Sequence, residues 1–537
     1  MGSDEMSTEK MAEEEPGFRR RPLVVLVPFP AQGHATPMLH LGAALRRHGF
    51  RPILVLPASI RRRLSPSTVQ GGHVDVEDDG CEVVIASVPD GIAEGAQGDF
   101  FALERAMEEV MPAHFEGLLR SLDGAPAAGR EGGGRMGSVA CVVVDLLASW
   151  AMGAAARCKV PVAGFWPAML ATYRLVSAAP DLVERRLISA SGIPLGEATA
   201  IPISDALPCC MPALSTADLP WLVGDVAAQR ARFAFWQRTL DRSRGLRWLI
   251  ANTFTGEGCS GAEGPHNHRR NPCSSVSSSL AGRPRVYRVG PLAAAAGNGG
   301  RSSGAGLSFW EEDRSCMQWL DVQMPGSVIY VSFGSWVGPI GDGSVRELAM
   351  GLEATGRPFL WVLGDSWRAG LPEGFPDRMA AGRGKLVRWA PQRDVLSHGA
   401  VGCYLTHCGW NSTMEAMQCK KRLLCYPVAG DQFINCKYIV DAWGIGVRLD
   451  GAMRWGAVKD GVERVMGADG EKLQRRVTEM SEQMNGEEGS AWAAAELAAF
   501  AEELRGYRAV RERGMVPSAS HDQLPLVRPK GIVCSSD

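Results

Sequence analysis

The chain has 537 residues, more than one hydrophobic core usually serves, so two domains are expected. Hydrophobic residues make up 45% and charged residues 22%, the balance of a soluble globular enzyme, and the formal net charge of -2 excludes the basic excess that nucleic-acid partners require. The 14 cysteines follow no disulfide spacing, and several (Cys141, Cys158, Cys403) lie in apolar runs, which points to a reducing compartment and a cytoplasmic protein.

Residues 1–21 are polar, lack an apolar core of signal-peptide length, and read as a disordered N-terminus. Short β-branched runs then alternate with stretches of helical period. Strands are expected at 23–27, 53–56, 83–88, 141–144 and 161–165, with helices at 38–47 and 148–157. Asp145 interrupts the long apolar stretch 139–156, which therefore fits a buried strand and a helix rather than a membrane span. Apolar strands separated by helices imply a parallel sheet covered on both faces. Residues 256–283 carry Gly, Ser and Pro without period and read as a mobile loop. The Ala/Gly/Ser-rich stretch 292–306 reads as an interdomain linker. Alternation then resumes, with strands expected at 328–332, 359–363, 386–388, 402–406 and 423–426 and helices at 342–354, 412–418, 435–443 and 491–504. The chain thus divides into an α/β unit at 22–291, a second at 307–490, a helix at 491–506 that packs back on the first, and an irregular tail at 507–537.

The strand 402–406, the turn His407-Cys408-Gly409-Trp410-Asn411 and the following helix form a junction of the kind that offers free backbone N–H groups and a positive helix end to a diphosphate. Ser412-Thr413-Met414-Glu415 is also a capping box, which satisfies those groups without a ligand. His34 stands in the loop after the first strand, where it is either a surface histidine or a base of near-neutral pKa. Asp145 ends another strand, where it is either a helix N-cap or the carboxylate that orients such a base.

The segment from Trp389 to Gln432, WAPQRDVLSHGAVGCYLTHCGWNSTMEAMQCKKRLLCYPVAGDQ, resembles the signature box of plant family 1 UDP-glycosyltransferases in length and in the offsets of its Trp, Pro-Gln, His, His-Cys-Gly-Trp-Asn-Ser, Glu, Pro and Asp-Gln. PFPAQGH at 28–34, YVSFGS at 330–335 and Phe359-Leu360-Trp361 resemble other parts of the same family. The resemblance implies a GT-B fold: two Rossmann-like domains facing across a cleft, an N-terminal one for the acceptor and a C-terminal one for a UDP-sugar. It implies that Trp389 stacks on uracil, that Ala390 meets the uracil edge through its backbone, and that Gln392 and Glu415 bind the ribose. It places Ser335, His407, Asn411 and Ser412 on the phosphates and Trp410, Asp431 and Gln432 on the sugar, which a Gln at the last position associates with glucose. It makes His34 and Asp145 the catalytic dyad of an inverting transfer, with no metal and no other cofactor. Phe29, Phe165, Trp166 and Trp221 are candidates for an apolar acceptor pocket, or else core residues. The implied partners are UDP-glucose or another UDP-sugar and a small-molecule acceptor, and the expected state is a monomer.

Three other readings are weaker. A UDP-sugar-binding regulator without turnover would not need both His34 and Asp145. An NAD enzyme would carry Gly-x-Gly-x-x-Gly after the first strand, and a hydrolase a Gly-x-Ser-x-Gly elbow. The cluster His398, Cys403, His407, Cys408, Cys419 and Cys425 has no usual zinc spacing. One departure stands out. Lys420-Lys421-Arg422 replaces the family's Gly-Val-Pro, which removes a glycine suited to a left-handed turn and raises the prospect of an acidic donor such as UDP-glucuronic acid.

Overall fold

A computed structural model describes residues 21–64, 73–76, 81–93, 100–122, 138–202, 212–257, 284–292, 308–335, 338, 340–380, 382–449 and 451–513. The expectations for 1–20, 258–283, 293–306 and 514–537 fall outside these residues. Eight strands form the first sheet: β1 (Leu23–Val27), β2 (Arg51–Pro57), β3 (His73–Val76), β4 (Cys81–Val88), β5 (Val139–Asp145), β6 (Val162–Trp166), β7 (Trp248–Ala251) and β8 (Arg285–Arg288), in the order β3-β4-β2-β1-β5-β6-β7-β8 among the described residues. All neighbours run parallel except β3, an antiparallel edge strand on β4. The second sheet comprises β9 (Val328–Ser332), β10 (Phe359–Val362), β11 (Gly384–Val387), β12 (Val401–Thr406), β13 (Arg422–Cys425) and β14 (Gly446–Arg448), all parallel, in the order β11-β10-β9-β12-β13-β14. The fold is α/β with two Rossmann-like domains, as the run of buried strands implies. β1 and β5 are buried along their whole length because helices cover both faces.

Among the parallel strands of each sheet the order reverses once, between β1 and β5 in the first and between β9 and β12 in the second. Loops leaving the carboxyl ends of the strands on either side of such a reversal splay apart and open a crevice, the usual ligand position in open α/β sheets. His34 follows β1 and Asp145 ends β5, while Gly334-Ser335 follows β9 and the turn His407–Asn411 follows β12. The four segments of greatest chemical interest therefore sit at the two switch points.

The C-terminal helix Glu487–Glu512 crosses back and places Leu497, Phe500 and Leu504 in the first domain's core, where each buried side chain contributes about 1.5–3 kcal/mol. Its Glu503 carboxylate accepts hydrogen bonds from Trp248 Nε1 (2.9 Å) and Arg285 Nη1 (3.0 Å) of β7 and β8. The helix runs beyond the expected boundary at 506. Tyr507 packs edge-on against Trp248 at 5.2 Å, and Arg511 donates to the Lys159 carbonyl, so first-domain contacts continue the helix through 507–512, placed in an irregular tail by the sequence.

Candidate active site

His34 is the third residue of helix Gln32–Arg47, and its Nδ1 lies 2.7 Å from Asp145 Oδ2. β1 and β5 are direct neighbours with Val27 opposite Val144, which fixes this meeting. The Asp145 side chain is fully buried, while that of His34 is 23% exposed, so the imidazole has its carboxylate behind it and an open side in front. The other Asp145 oxygen accepts from Leu147 N at 3.0 Å and caps the short turn Leu146–Ala148. One carboxylate thus serves as both cap and histidine partner.

Across the cleft, helix Trp410–Gln418 begins at Gly409 with no side-chain cap. This corrects the capping box: the helix starts two residues before Ser412, so Ser412 and Glu415 lie inside it. Their side chains instead meet Gln392, whose Nε2 donates to Ser412 Oγ (3.1 Å) and Glu415 Oε2 (2.7 Å), while its Oε1 accepts from the hydroxyls of Tyr330 and Tyr404. Burial raises the Glu415 carboxyl above its ordinary value, against the pull of the Gln392 hydrogen bond and the Arg393 charge. The free helix N-terminus is a ready anion site.

His407 borders that N-terminus. Burial lowers its pKa to about 4, against the Ser332 carbonyl that accepts from the ring, and its Nδ1 has no hydrogen-bond partner among the described residues. Since the folded value lies below the ordinary 6.5, the unfolded chain binds the extra proton, so stability is intact above pH 6.5 and falls as pH drops towards 4. Between pH 7 and 4.5 the wild type should lose about 2–3 kcal/mol more than His407→Gln in chemical denaturation; equal losses would contradict a buried neutral ring. The ring packs closely against two glycines: a Cβ at Gly334 would lie 2.7 Å from His407 Cε1, and one at Gly409 only 2.4 Å from Nε2.

The other donor-site residues gather here too, some with their side chains already engaged. Trp410 Nε1 donates to the Asn252 carbonyl (2.8 Å), and the Trp410 ring stacks at 6.4 Å on Phe254, so its indole N–H is committed to the domain interface. Asn411 donates through Nδ2 to the Gly33 carbonyl and accepts from Asn252 Nδ2 at 3.3 Å. Both residues expected at the phosphates and the sugar thus stand at the domain interface beside His34, with these side-chain atoms engaged there. Gln432 Oε1 accepts from Val428 N and Ala429 N, both at 2.9 Å, which leaves the amide as a donor. Asp431 accepts from Asn435 Nδ2 (3.0 Å), and burial raises its carboxyl, opposed by that hydrogen bond and by the charge of His34 across the cleft. Trp389 is half-buried, with Trp310 stacked on one face at 4.6 Å; its carbonyl accepts from Asp313 N, and Ala390 beside it is buried.

Of the acceptor candidates, Phe29 lies against His34, with ring centroids 5.2 Å apart, but it is only 2% exposed and belongs to the core. The other three are core residues as well. Phe165, Trp166 and Trp221 are at most 1% exposed, and the Trp166 and Trp221 indoles donate to the Met169 and Gly192 carbonyls. No surface remains on them for a ligand. The cationic turn also turns away from the site. Lys420 takes the left-handed conformation (φ 55°) that the family's glycine would supply, Lys421 Nζ donates to the His398 and Val401 carbonyls, and Arg422 Nε donates to the Gly402 carbonyl. These groups occupy the amino-terminal edge of the second sheet, opposite the cleft, so the motive for an acidic donor is removed.

Sequence reading missed Asn252, which follows the four-residue strand β7 at the cleft edge and joins both domains. It also missed Gln32, whose Oε1 accepts from Phe309 N at 2.8 Å and ties the catalytic helix to the segment bearing Trp310. The apolar run Trp248–Ala251 could have revealed the first, and the second lies within the PFPAQGH motif, which gave no sign of its partner.

Known proteins agree with this geometry. The family model for UDP-glucuronosyl and UDP-glucosyl transferases matches residues 305–481. UDP-glycosyltransferase 82A1 of Arabidopsis thaliana is 46% identical over 83% of this chain and 91% of its own length, and UDP-glycosyltransferase 83A1 of the same plant is 32% identical over 86% and 92%. Os79 of O. sativa in complex with UDP superposes with a TM-score of 0.67 at 26% identity, covering 90% of this chain and all of that one. A UDP-glucosyltransferase of Polygonum tinctorium capable of glucosylating indoxyl gives 0.69 at 25% identity, over 90% and 99%. No helix among the described residues is long and apolar enough to cross a membrane. The chain belongs to the plant family 1 UDP-glycosyltransferases, with the GT-B fold and the UDP-glycosyltransferase activity of that family.

Proposed function

We propose that the protein transfers glucose from UDP-glucose to a hydroxyl or other nucleophile of a small lipophilic acceptor, inverting the anomeric carbon. The carrying observation is the bond between Asn411 and the Gly33 carbonyl: it sets the uncapped helix N-terminus beside the residue that precedes His34, so base and diphosphate site face one gap. His34 takes the acceptor proton, and Asp145 steadies the resulting imidazolium. The acceptor oxygen attacks the anomeric carbon as the bond to UDP breaks. The leaving diphosphate is met by the N–H groups of helix Trp410–Gln418, beside which His407 stands. This electrostatic help takes the place a metal ion would fill. Trp389 offers uracil the face that Trp310 does not cover, with the Ala390 backbone at the base edge; Gln392 and Glu415 take the ribose, Ser335 and Ser412 the phosphates, and Asp431 and the Gln432 amide the sugar. Glucose is favoured because the Lys420–Arg422 cations lie away from the cleft and because the Polygonum neighbour is named a glucosyltransferase.

The test is proton NMR of the product. Transfer from the α-linked donor should give a β-glucoside; an α-glucoside would exclude a single displacement with His34 as base.

A further inference from the structure

Outside the reaction machinery, three thiols meet at one buried point. Cys408 lies in the turn after β12, Cys425 ends β13, and Cys436 sits on helix Gln432–Lys437. Their sulfur atoms all lie within 4.8 Å of one another, and the three residues are at most 1% exposed. The His and Cys residues of 398–425, whose spacing fits no usual zinc site, do not gather as a group. His398 pairs with Asp321, Cys403 is in another part of the core, and Cys419 meets Ser397. Cys436 was not among those candidates.

A single buried cysteine packs as a small apolar residue. Three converging from separate elements form a ligand set. Cys408 is held in place at a cost, with φ 67°, a conformation uncommon outside glycine; Thr406 Oγ1 accepts from its N (3.1 Å) and Asn435 Nδ2 donates to its O (2.9 Å). We propose that Cys408, Cys425 and Cys436 form a site for a thiophilic three-coordinate centre, specifically trivalent arsenic supplied as arsenous acid. A tetrahedral zinc ion wants four ligands, and among the described residues the group contains these three thiols alone. A divalent ion on three thiolates would also leave a negative charge in a dry core. Arsenous acid avoids both problems: As(OH)3 and three thiols give As(SR)3 and three waters. Three As–S bonds replace three As–O bonds, the thiol protons leave in the water, no atom changes oxidation state, and the adduct is neutral.

Occupancy would bind the turn carrying His407 to the helix carrying Gln432. The experiment uses the full chain, reduced with a phosphine and titrated with arsenite. X-ray absorption should show arsenic bound by three sulfurs and no oxygen. Hydrogen–deuterium exchange should slow at residues 406–412, 423–426 and 432–437, and in Cys436→Ser that slowing should be lost. No uptake, arsenic that retains oxygen, or exchange unchanged in those three segments would overturn the site. The exchange and absorption readouts need no variant, so a misfolded Cys436→Ser would not blunt the test.

Discussion

His34→Ala is expected to lower turnover by about 10²–10⁴-fold while leaving UDP affinity nearly unchanged. The rate loss follows from removing the group whose Nδ1 is fixed 2.7 Å from a buried carboxylate and whose other side opens to the cleft. The unchanged affinity follows from the division of labour between domains. The diphosphate is assigned to an uncapped helix N-terminus and His407 in the second domain, and the ties beside His34 are made by the Gly33 carbonyl and the Gln32 side chain, both of which the variant keeps. Turnover would be followed by product formation at saturating donor, and affinity by calorimetry. A variant that lost UDP binding along with turnover would make His34 a structural residue of the interface.

Gly409→Ala is expected to weaken UDP binding by about 1.5–3 kcal/mol, the scale of a hydrogen bond to a charged group and more than a tenfold loss. Its backbone (φ -61°, ψ 144°) is open to any residue, so the effect is steric. The added Cβ would lie 2.4 Å from His407 Nε2, and Gly334 crowds the same ring, since a Cβ there would come within 2.7 Å of Cε1. The ring must leave its slot, at an overpacking cost of about 1–3 kcal/mol to the fold. Thermal melting and UDP calorimetry read the two effects separately. A melting point lowered without loss of affinity would remove His407 from the diphosphate site.

Legibility followed the physical range of each signal. β1, β9 and the helix Asp342–Ala354 stand at the residues their hydrophobic patterns mark, because burial on two faces writes a continuous apolar run. β7, β8 and β14 were not foreseen: they are three or four residues long, and β8 is flanked by arginines at its partly exposed edge position. The capping box misled because its spacing is local and the true helix start at Trp410 is set by the β12 turn and by packing against Phe254. The same limit hid the engagement of Trp410 and Asn411, whose partners Asn252 and Gly33 lie in the other domain. Phe165, Trp166 and Trp221 looked equally suited to pocket or core, and only packing separates the two. At Lys420 the missing glycine proved a substitution in kind, a lysine held at φ 55° with its carbonyl bound by Gln474.

Calorimetric titration of the purified protein with UDP-glucose, with UDP-glucuronic acid and UDP as comparisons, tests the account most directly. The geometry predicts that UDP binds and that UDP-glucose binds at least as tightly as the glucuronate, since the cations of residues 420–422 lie behind the second sheet. Tighter binding of UDP-glucuronic acid would overturn the donor assignment, and failure of all three to bind would contradict the donor site itself.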